Sequence, residues 1–395
     1  MVKKMEEIFV LGYARTAIGT FGGSLSSMGP IDLGIAVSKE AIARSRIEPT
    51  QIGTVTFGHV INTEPRDMYL SRVAAIGAGV PEETPAMNVN RLCGSGAQAI
   101  VSTFQSLSMG DANFGLAGGA ENMSRSPHVM SSGRWGQKMG NAQLTDMMIG
   151  ALTCPFGTGH MGVTAENVAR EYEISREDQD AFALESQSRA TAAITEGYFA
   201  DQIIPIEVKH KNKSFIFRED EHPKQTNQEA LSSLPSVFQK GGSVTAGNSS
   251  GINDGAAALV LANSNSVVEK QLEPVAKVLG YAVSGVRPQI MGVGPISAVQ
   301  KLCTRLNLNI GDFDVIESNE AFAAQACAVS KSLEFDPKKV NPNGGAIALG
   351  HPIGATGVIL TIKAISELNR KNSKLALVTM CIGGGQGIAI ALEKT

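Results

Sequence analysis

Four side chains in this sequence stand where the local chain pattern gives them chemical leverage. Cys93, in NVNRLCGSGAQAIVST, lies where a strand gives way through glycines to a helix beginning near Ser95. A thiol at a helix start meets the positive end of the helix dipole, which favours the thiolate. Gly94 and Gly96 are read as room for a bulky ligand to reach the sulfur. The competing reading is a small buried residue at a packed turn. His351, in NPNGGAIALGHPIGATG, opens what reads as the matching helix near the other end of the chain. It is a candidate base for Cys93 if the two helix ends face each other, and otherwise an N-cap. Cys381, in LVTMCIGGGQG, ends a strand ahead of three glycines whose amides are free to bind an oxyanion. Asn319, in IESNEAFAAQA, ends another strand, where an amide orients a water or caps the following helix.

Other chemistries lack their signatures. No lysine follows GGGQG and no GxGxxG turn follows the first strand, so neither a phosphate loop nor a dinucleotide site is supported. The five cysteines include no CxxC pair, which argues against zinc. An odd count in a long chain argues against a disulfide framework and for a reducing compartment. The apolar run IFVLGYA is too short for a signal peptide, no stretch approaches a membrane span, and ALEKT carries no address, so a cytoplasmic location is expected.

The elements around these residues read as α/β. Strands are expected at EEIFVLGYA, GTVTFGHVI, PAMNVN, ANFGLAGGA, PVAKVLGYAV, FDVIESNEA, VNPNGG, LALVTMCI and GIAIALE, with helices at IDLGIAVSKEAIARSR and SAVQKLCTRLNL between them. With 395 residues, 43% hydrophobic and 18% charged, there is material for two or three domains. Lys and Arg number 34 against 37 Asp and Glu, a net charge of −3, so no overall attraction to nucleic acid or anionic lipid is expected. The 43 glycines point to tight turns and close backbone approaches. The two ends also resemble each other: IGTVTFGHV matches IGDFDVIESNE, CGSGAQAI matches HPIGATGV, and GLAGGAE matches CIGGGQG. Their near-constant offset of about 260 residues implies a duplication and sets Asn319 opposite His59. The stretch from about 123 to 248 differs in character and reads as an insertion. It carries the only tryptophan, Trp135, methionine-rich segments, a charged helix (SREDQDAFALESQSRATAAI) and the basic run KHKNKSFIFR.

NRLCGSG, GGAENMS, HMGVTAENVA, TAGNSSGINDGAAA, NEAFAAQ, NPNGGAIALGHPIGATG and CIGGGQG, in that order, resemble the thiolase family of acetyl-CoA acetyltransferases and 3-ketoacyl-CoA thiolases. The likeness runs from about residue 8 to residue 393. It implies two duplicated α/β halves in a five-layer α-β-α-β-α stack: 1–122 with 249–272, and 273–395. A loop domain at 123–248 would cover coenzyme A. It implies that Cys93 is acylated, that His351 is its base and part of a first oxyanion hole, and that Cys381 moves the α-proton of the acetyl group. Asn319 would hold a water in the first hole, and the amides of Cys93 and Gly383 would form a second. Sulfur suits such work, being both a soft nucleophile and a good leaving group. Among substrate contacts, the resemblance implies His160 and Met161 near the pantetheine chain and acyl branch, Ser250, Ala321 and Phe322 along the pantetheine, and Phe238 and Met291 as apolar walls. Relatives carry an arginine after a DEH or DEY triplet, where this chain has Asp220, Glu221, His222, Pro223 and Lys224. A point charge at Lys224 cannot copy a planar guanidinium's stacking.

Coenzyme A is then substrate and product, and neither a cofactor nor a metal is expected. TGHMG resembles short-chain types, while ARTAIGTFGGSL and NTEPRDMYLSR resemble ketothiolases accepting longer chains. Two rivals are a decarboxylating ketoacyl synthase, which needs no second thiol, and a non-catalytic acyl-CoA or lipid carrier. The family likeness, with Trp135, Met130, Met139, Met147 and Met148 clustered after GGAENMS, implies a homotetramer built as two dimers.

Overall fold

The computed structural model describes residues 6–210 and 213–395. Its backbone is an 11-stranded sheet whose main path runs Val315–Ser318, Leu375–Ile382, Gln386–Glu393, Ala276–Gly285, Ile8–Thr16, Asn253–Asn263, Phe114–Asn122, Thr54–Gly58 and Ala86–Val89. The pairing pattern repeats. Thr54–Gly58 runs parallel to Phe114–Asn122, which is antiparallel to Asn253–Asn263, itself antiparallel to Ile8–Thr16. Likewise Val315–Ser318 runs parallel to Leu375–Ile382, then Gln386–Glu393 and Ala276–Gly285 follow antiparallel. Two copies of one topology thus meet edge to edge where Ile8, Phe9 and Val10 pair with Val278, Lys277 and Ala276. The strands read from the sequence are present with one exception. VNPNGG contributes only a bridge from Val340 to Ile316, the counterpart of the strand Ala86–Val89. Pro342 removes a ladder donor and Asn341 turns into the left-handed region at φ 41°, so the segment curls away after one pair.

Each half-sheet carries helices on both faces. Pro30–Arg44 buries Ile31, Gly34, Val37, Ser38, Ala41 and Ile42, one stripe at helical spacing, against the outer face of the first half. Gly294–Leu306 does the same for the second half through Ala298, Val299 and Leu302. Between the halves lie Ser95–Met109 and Thr356–Lys371. They share one core with Leu259 and Leu261 from one half-sheet and Val378 and Ile390 from the other. This gives the five layers. Thr356–Lys371 is buried on all sides from Thr356 to Leu368, as a helix sandwiched between two sheets must be. Its one interior cation, Lys363, is matched by Glu317 at 2.8 Å and the Gly344 carbonyl at 2.6 Å.

The chain leaves the first half after Asn122 and returns to it at Asn253. In between lie helices Met161–Glu171 and Arg176–Thr195, the latter opened by a Ser175–Asp178 capping box, and a hairpin of Ile206–His210 with Lys213–Phe217. Arg15 fastens this excursion to the first strand. Its guanidinium makes a two-pronged pair with Asp220 at 2.8 and 3.0 Å and bonds Gln202, wholly out of solvent. Glu221 accepts from the backbone amides of Thr20 and Ser24. The first two acids of the Asp220–Lys224 run therefore tie the insertion down.

Candidate active site

Cys93 follows a strained turn. Leu92 has φ 46°, a left-handed value that costs a non-glycine residue energy. Ser95 locks the turn by accepting from the Arg91 amide at 2.9 Å and donating to the Leu92 carbonyl at 2.6 Å. The helix begins at Ser95, as the sequence implied. The glycines beside the thiol serve packing rather than ligand access. A Cβ on Gly94 would meet Ile382 at 2.5 Å, and one on Gly96 would meet the Val358 amide nitrogen at 2.9 Å. Nor does the helix end yield a thiolate. Burial pushes the thiol up to about 11, against the opposing backbone N–H groups of Gly383 and Cys93 itself, and the charge of Glu121 adds to the rise. Desolvation outweighs the dipole, so the resting sulfur is a thiol.

His351 stands opposite because the two central helices touch at their N-termini. A Cβ on Gly357 would come within 2.1 Å of the Ala97 nitrogen, so only glycine allows this approach. The helix itself starts at Thr356, five residues later than the sequence implied, and His351 does not cap it. The turn from His351 to Ala355 precedes the helix because Pro352 constrains the chain there. The ring instead sits 2.7 Å from the Thr356 hydroxyl, which donates its own proton to the Pro352 carbonyl at 2.9 Å. The hydroxyl must therefore accept from Nδ1–H, which leaves Nε2 as a bare lone pair. Nε2 is buried and has no partner. Burial lowers His351 to about 4, so the ring is neutral at pH 7.

Cys381 is fully buried at the end of Leu375–Ile382, packed with Met161, Met291, Ala321 and Phe322. Burial raises its thiol far above the usual range, and Cys93 beside it raises it further. Of the three glycines that follow, only Gly383 aims its amide at Cys93. Gly384 and Gly385, at φ 84° and 91°, form the reversal into Gln386–Glu393, and the Gly385 amide returns to Ile382. Asn319 is not an N-cap either, because the following helix is capped at Phe322. Both of its side-chain amide atoms are buried without a partner. It borders a small void shared with Thr356 and Gly350 rather than the main cavity.

That main cavity, about 240 Å³ and almost wholly apolar, is lined by Cys93, His351 and Gly383 together with His160, Met161, Phe238, Ser250, Met291, Ala321 and Phe322. His160 caps the helix Met161–Glu171 by accepting from the Gly162 amide. Its ring stacks on Phe238 at 4.8 Å and 12°, and Phe238 meets Phe322 edge-on at 6.1 Å. Gly162 must lack a Cβ, which would strike the Phe238 ring at 2.2 Å. Lys224 stands apart. Its side chain is exposed outside this lining, and its backbone amide donates to Gln187. Met123, Ile149, Leu152 and Ile353 also line the cavity and were not read from the sequence. Ile149 lies beside Met147 and Met148 of the methionine-rich segment, part of which thus turns inward. Among the described residues, no group of three or more His, Cys, Asp or Glu is placed to hold a metal ion.

An apolar cavity with a thiol, a neutral buried imidazole and a second thiol behind its wall is a site for acyl transfer. Known proteins agree. Residues 8–265 match the thiolase N-terminal domain and 272–394 the thiolase C-terminal domain. Beta-ketothiolase BktB of Cupriavidus necator is 54% identical over 390 residues, covering 98% of this chain and 99% of that protein. The mitochondrial 3-ketoacyl-CoA thiolase of Bos taurus is 42% identical over 390 residues, covering 98% of each chain. Among solved structures, the Bacillus anthracis acetyl-CoA acetyltransferase superposes with a TM-score of 0.97 at 42% identity, covering 99% of both chains. Human mitochondrial 3-ketoacyl-CoA thiolase in complex with CoA superposes at 0.96 and 42% identity, covering 99% of this chain and 98% of that one. With both family domains spanning nearly its whole length, and the duplicated fold and thiol-lined cavity to match, the chain belongs to the thiolase family.

Proposed function

We propose that this enzyme is an acyltransferase that cleaves 3-ketoacyl-CoA with coenzyme A, and in reverse joins two acyl-CoA, through an acyl group on Cys93. The observation that carries this is the buried Nε2 of His351, left without a partner while Thr356 holds Nδ1, in the wall of the same cavity as Cys93. His351 takes the thiol proton as Sγ attacks the 3-keto carbon. The C2–C3 bond breaks, its electron pair leaves on the acetyl-CoA enolate, and Cys381, resting as a thiol, protonates that carbon. The amides of Gly383 and Cys93, already directed at Sγ, support the thioester oxygen of the acyl-enzyme. The thiol of a second coenzyme A then attacks that thioester, giving its proton to the Cys381 thiolate, while His351 returns its proton to the departing Cys93 sulfur and the shortened acyl-CoA leaves. Both half-reactions share Cys93, so ping-pong kinetics follow.

A second thiol packed against the first favours this reading over a decarboxylating synthase, and the complete set of reacting groups speaks against a mere carrier. The walls from Phe238, Met291 and Phe322 suit a pantetheine arm under the 123–248 loop domain, with no resident cofactor or metal. The unpaired amide of Asn319, bordering the same Thr356 that orients His351, suits a bound water. Lys224, exposed and outside the lining, suits at most a loose contact with the nucleotide end. A short acyl branch against Met161 suits acetoacetyl-CoA with tolerance for a few added methylenes, each worth only about 1–3 kcal/mol. A kcat/KM series over ketoacyl chain length tests this, and a maximum at long chains would refute it. The reading includes a homotetramer in the cytoplasm working in fatty acid metabolism.

A further inference from the structure

We propose that Glu121, backed by His59, is a positioning residue for acyl transfer: its buried carboxylate clamps the turn that carries His351 against the wall around Cys93. Glu121 ends the strand Phe114–Asn122 and is wholly out of solvent. One oxygen accepts from the amides of Gly354 at 3.0 Å and Val60 at 3.1 Å, and the other from the amide of Ile61 at 3.0 Å. The carboxylate therefore joins the segment after Thr54–Gly58, in the first half, to the His351–Ala355 turn of the second. Gly354 lies between His351 and Thr356, the hydroxyl that fixes the imidazole tautomer, so a shift at Gly354 moves base and orienter together. The turn also seats unusually deep. The Gly354 carbonyl comes so close that a Cβ on Gly119 would meet it at 2.2 Å, and one on Gly58 at 2.6 Å. Ile61 and Ile353, on the two clamped segments, pack with Met123 into the small core against which Cys93 rests.

His59 supplies the backing. Its Nδ1 lies 2.9 Å from the Ala120 carbonyl and 3.5 Å from Glu121. Its other nitrogen faces Asp67 at 4.0 Å. Asp67 in turn accepts from the amide and hydroxyl of Thr63 at 2.7 and 2.8 Å. A buried imidazole thus stands between two buried carboxylates, with His59 Nε2 and Asp67 Oδ1 left unpartnered. Apolar residues of the same volume would serve stability as well or better than buried charges. A cluster at this spot, gripping the His351–Ala355 turn by one amide and the segment after Thr54–Gly58 by two, is explained by the geometry it enforces.

The inference rests on the acyl-transfer reading, and the test separates the two. Acetylation of Cys93 by acetyl-CoA, timed by mass spectrometry, is measured first on the parent enzyme. No acetylation there would overturn the reading itself. In Glu121→Gln, the KM for acetoacetyl-CoA should stay within about twofold while kcat and the acetylation rate fall about tenfold to a hundredfold, the scale expected for a base displaced by an ångström or less. Gly354→Ala keeps every charge but brings its Cβ to 2.5 Å from the Glu121 carboxylate oxygen, and should show the same split. If Glu121→Gln does not fold, Gly354→Ala decides alone. An acetylation rate equal to the parent's in either folded variant, or a loss confined to KM, would overturn the assignment.

Discussion

A thiol pushed up to about 11 is scarcely ionised at neutral pH, so Cys93 works only as one half of a pair with the unpartnered Nε2 of His351. The sign of the His351 shift can be tested through stability. Its folded value, about 4, lies below the usual 6.5, so as pH falls from 6.5 to 4 the unfolded chain binds the proton first and the native state loses stability. His351→Asn removes that loss. Denaturant titrations at pH 7 and pH 4 should show the stability gap between parent and variant moving by about 3 kcal/mol in the variant's favour, one pKa unit being worth about 1.4 kcal/mol. A gap independent of pH would mean the imidazole is not held neutral. Cys381→Ala should still accept an acetyl group on Cys93 yet lose exchange of the acetyl α-proton with deuterium, and normal exchange would sink the role given to Cys381. Cys93, His351 and Cys381 stood out because each sits in a local glycine-marked turn, and the roles expected of them came from the family likeness. Their protonation states were not legible, because desolvation is set by residues distant in sequence, and for that reason the helix-dipole expectation for Cys93 failed.

At the scale of elements, the site exists because two helix starts interlock through Gly96 and Gly357. Gly357→Ala puts a methyl 2.1 Å from the Ala97 backbone, which cannot yield as a side chain would. Overpacking of this kind should cost about 3 kcal/mol or more, read as a lowered denaturant midpoint, with activity falling in the remaining folded enzyme. An unchanged midpoint would show that the halves do not meet at these glycines. The duplication was visible in the sequence as three motif pairs in one register, because turns that must meet a partner backbone tolerate little besides glycine. VNPNGG forms no strand because Pro342 and the left-handed Asn341 allow one bridge only. The start of the helix after His351 was misplaced for a similar reason. HPIGATG reads as a helix opening, but the proline and glycine spend five residues in a turn first.

At the scale of the whole molecule, the segment after GGAENMS divides its apolar residues between two tasks. Ile149 lines the catalytic cavity and Met148 packs against the Ile61–Ile353 core, whereas Trp135 at 84% and Met139 at 86% exposure face outward. Side chains so large and so exposed fit an interface between copies. A second candidate surface is the sheet's terminal strand Ala86–Val89, where Met87, Met68 and Tyr69 are exposed. Light scattering at micromolar concentration should give about four times 41.4 kDa, and Trp135→Ser should fall to the dimer mass with its active site intact. A fully active parent dimer would show that this loop pairs nothing. Assembly was the least legible level, since composition marks a sticky segment without saying which part faces inward.

The most direct test of the account is mass spectrometry of the enzyme after incubation with acetyl-CoA. The predicted result is a single acetyl group on the peptide containing Cys93, removed on adding coenzyme A and absent in Cys93→Ser. Acetylation of Cys381, or an acetyl group that coenzyme A does not remove, would contradict it.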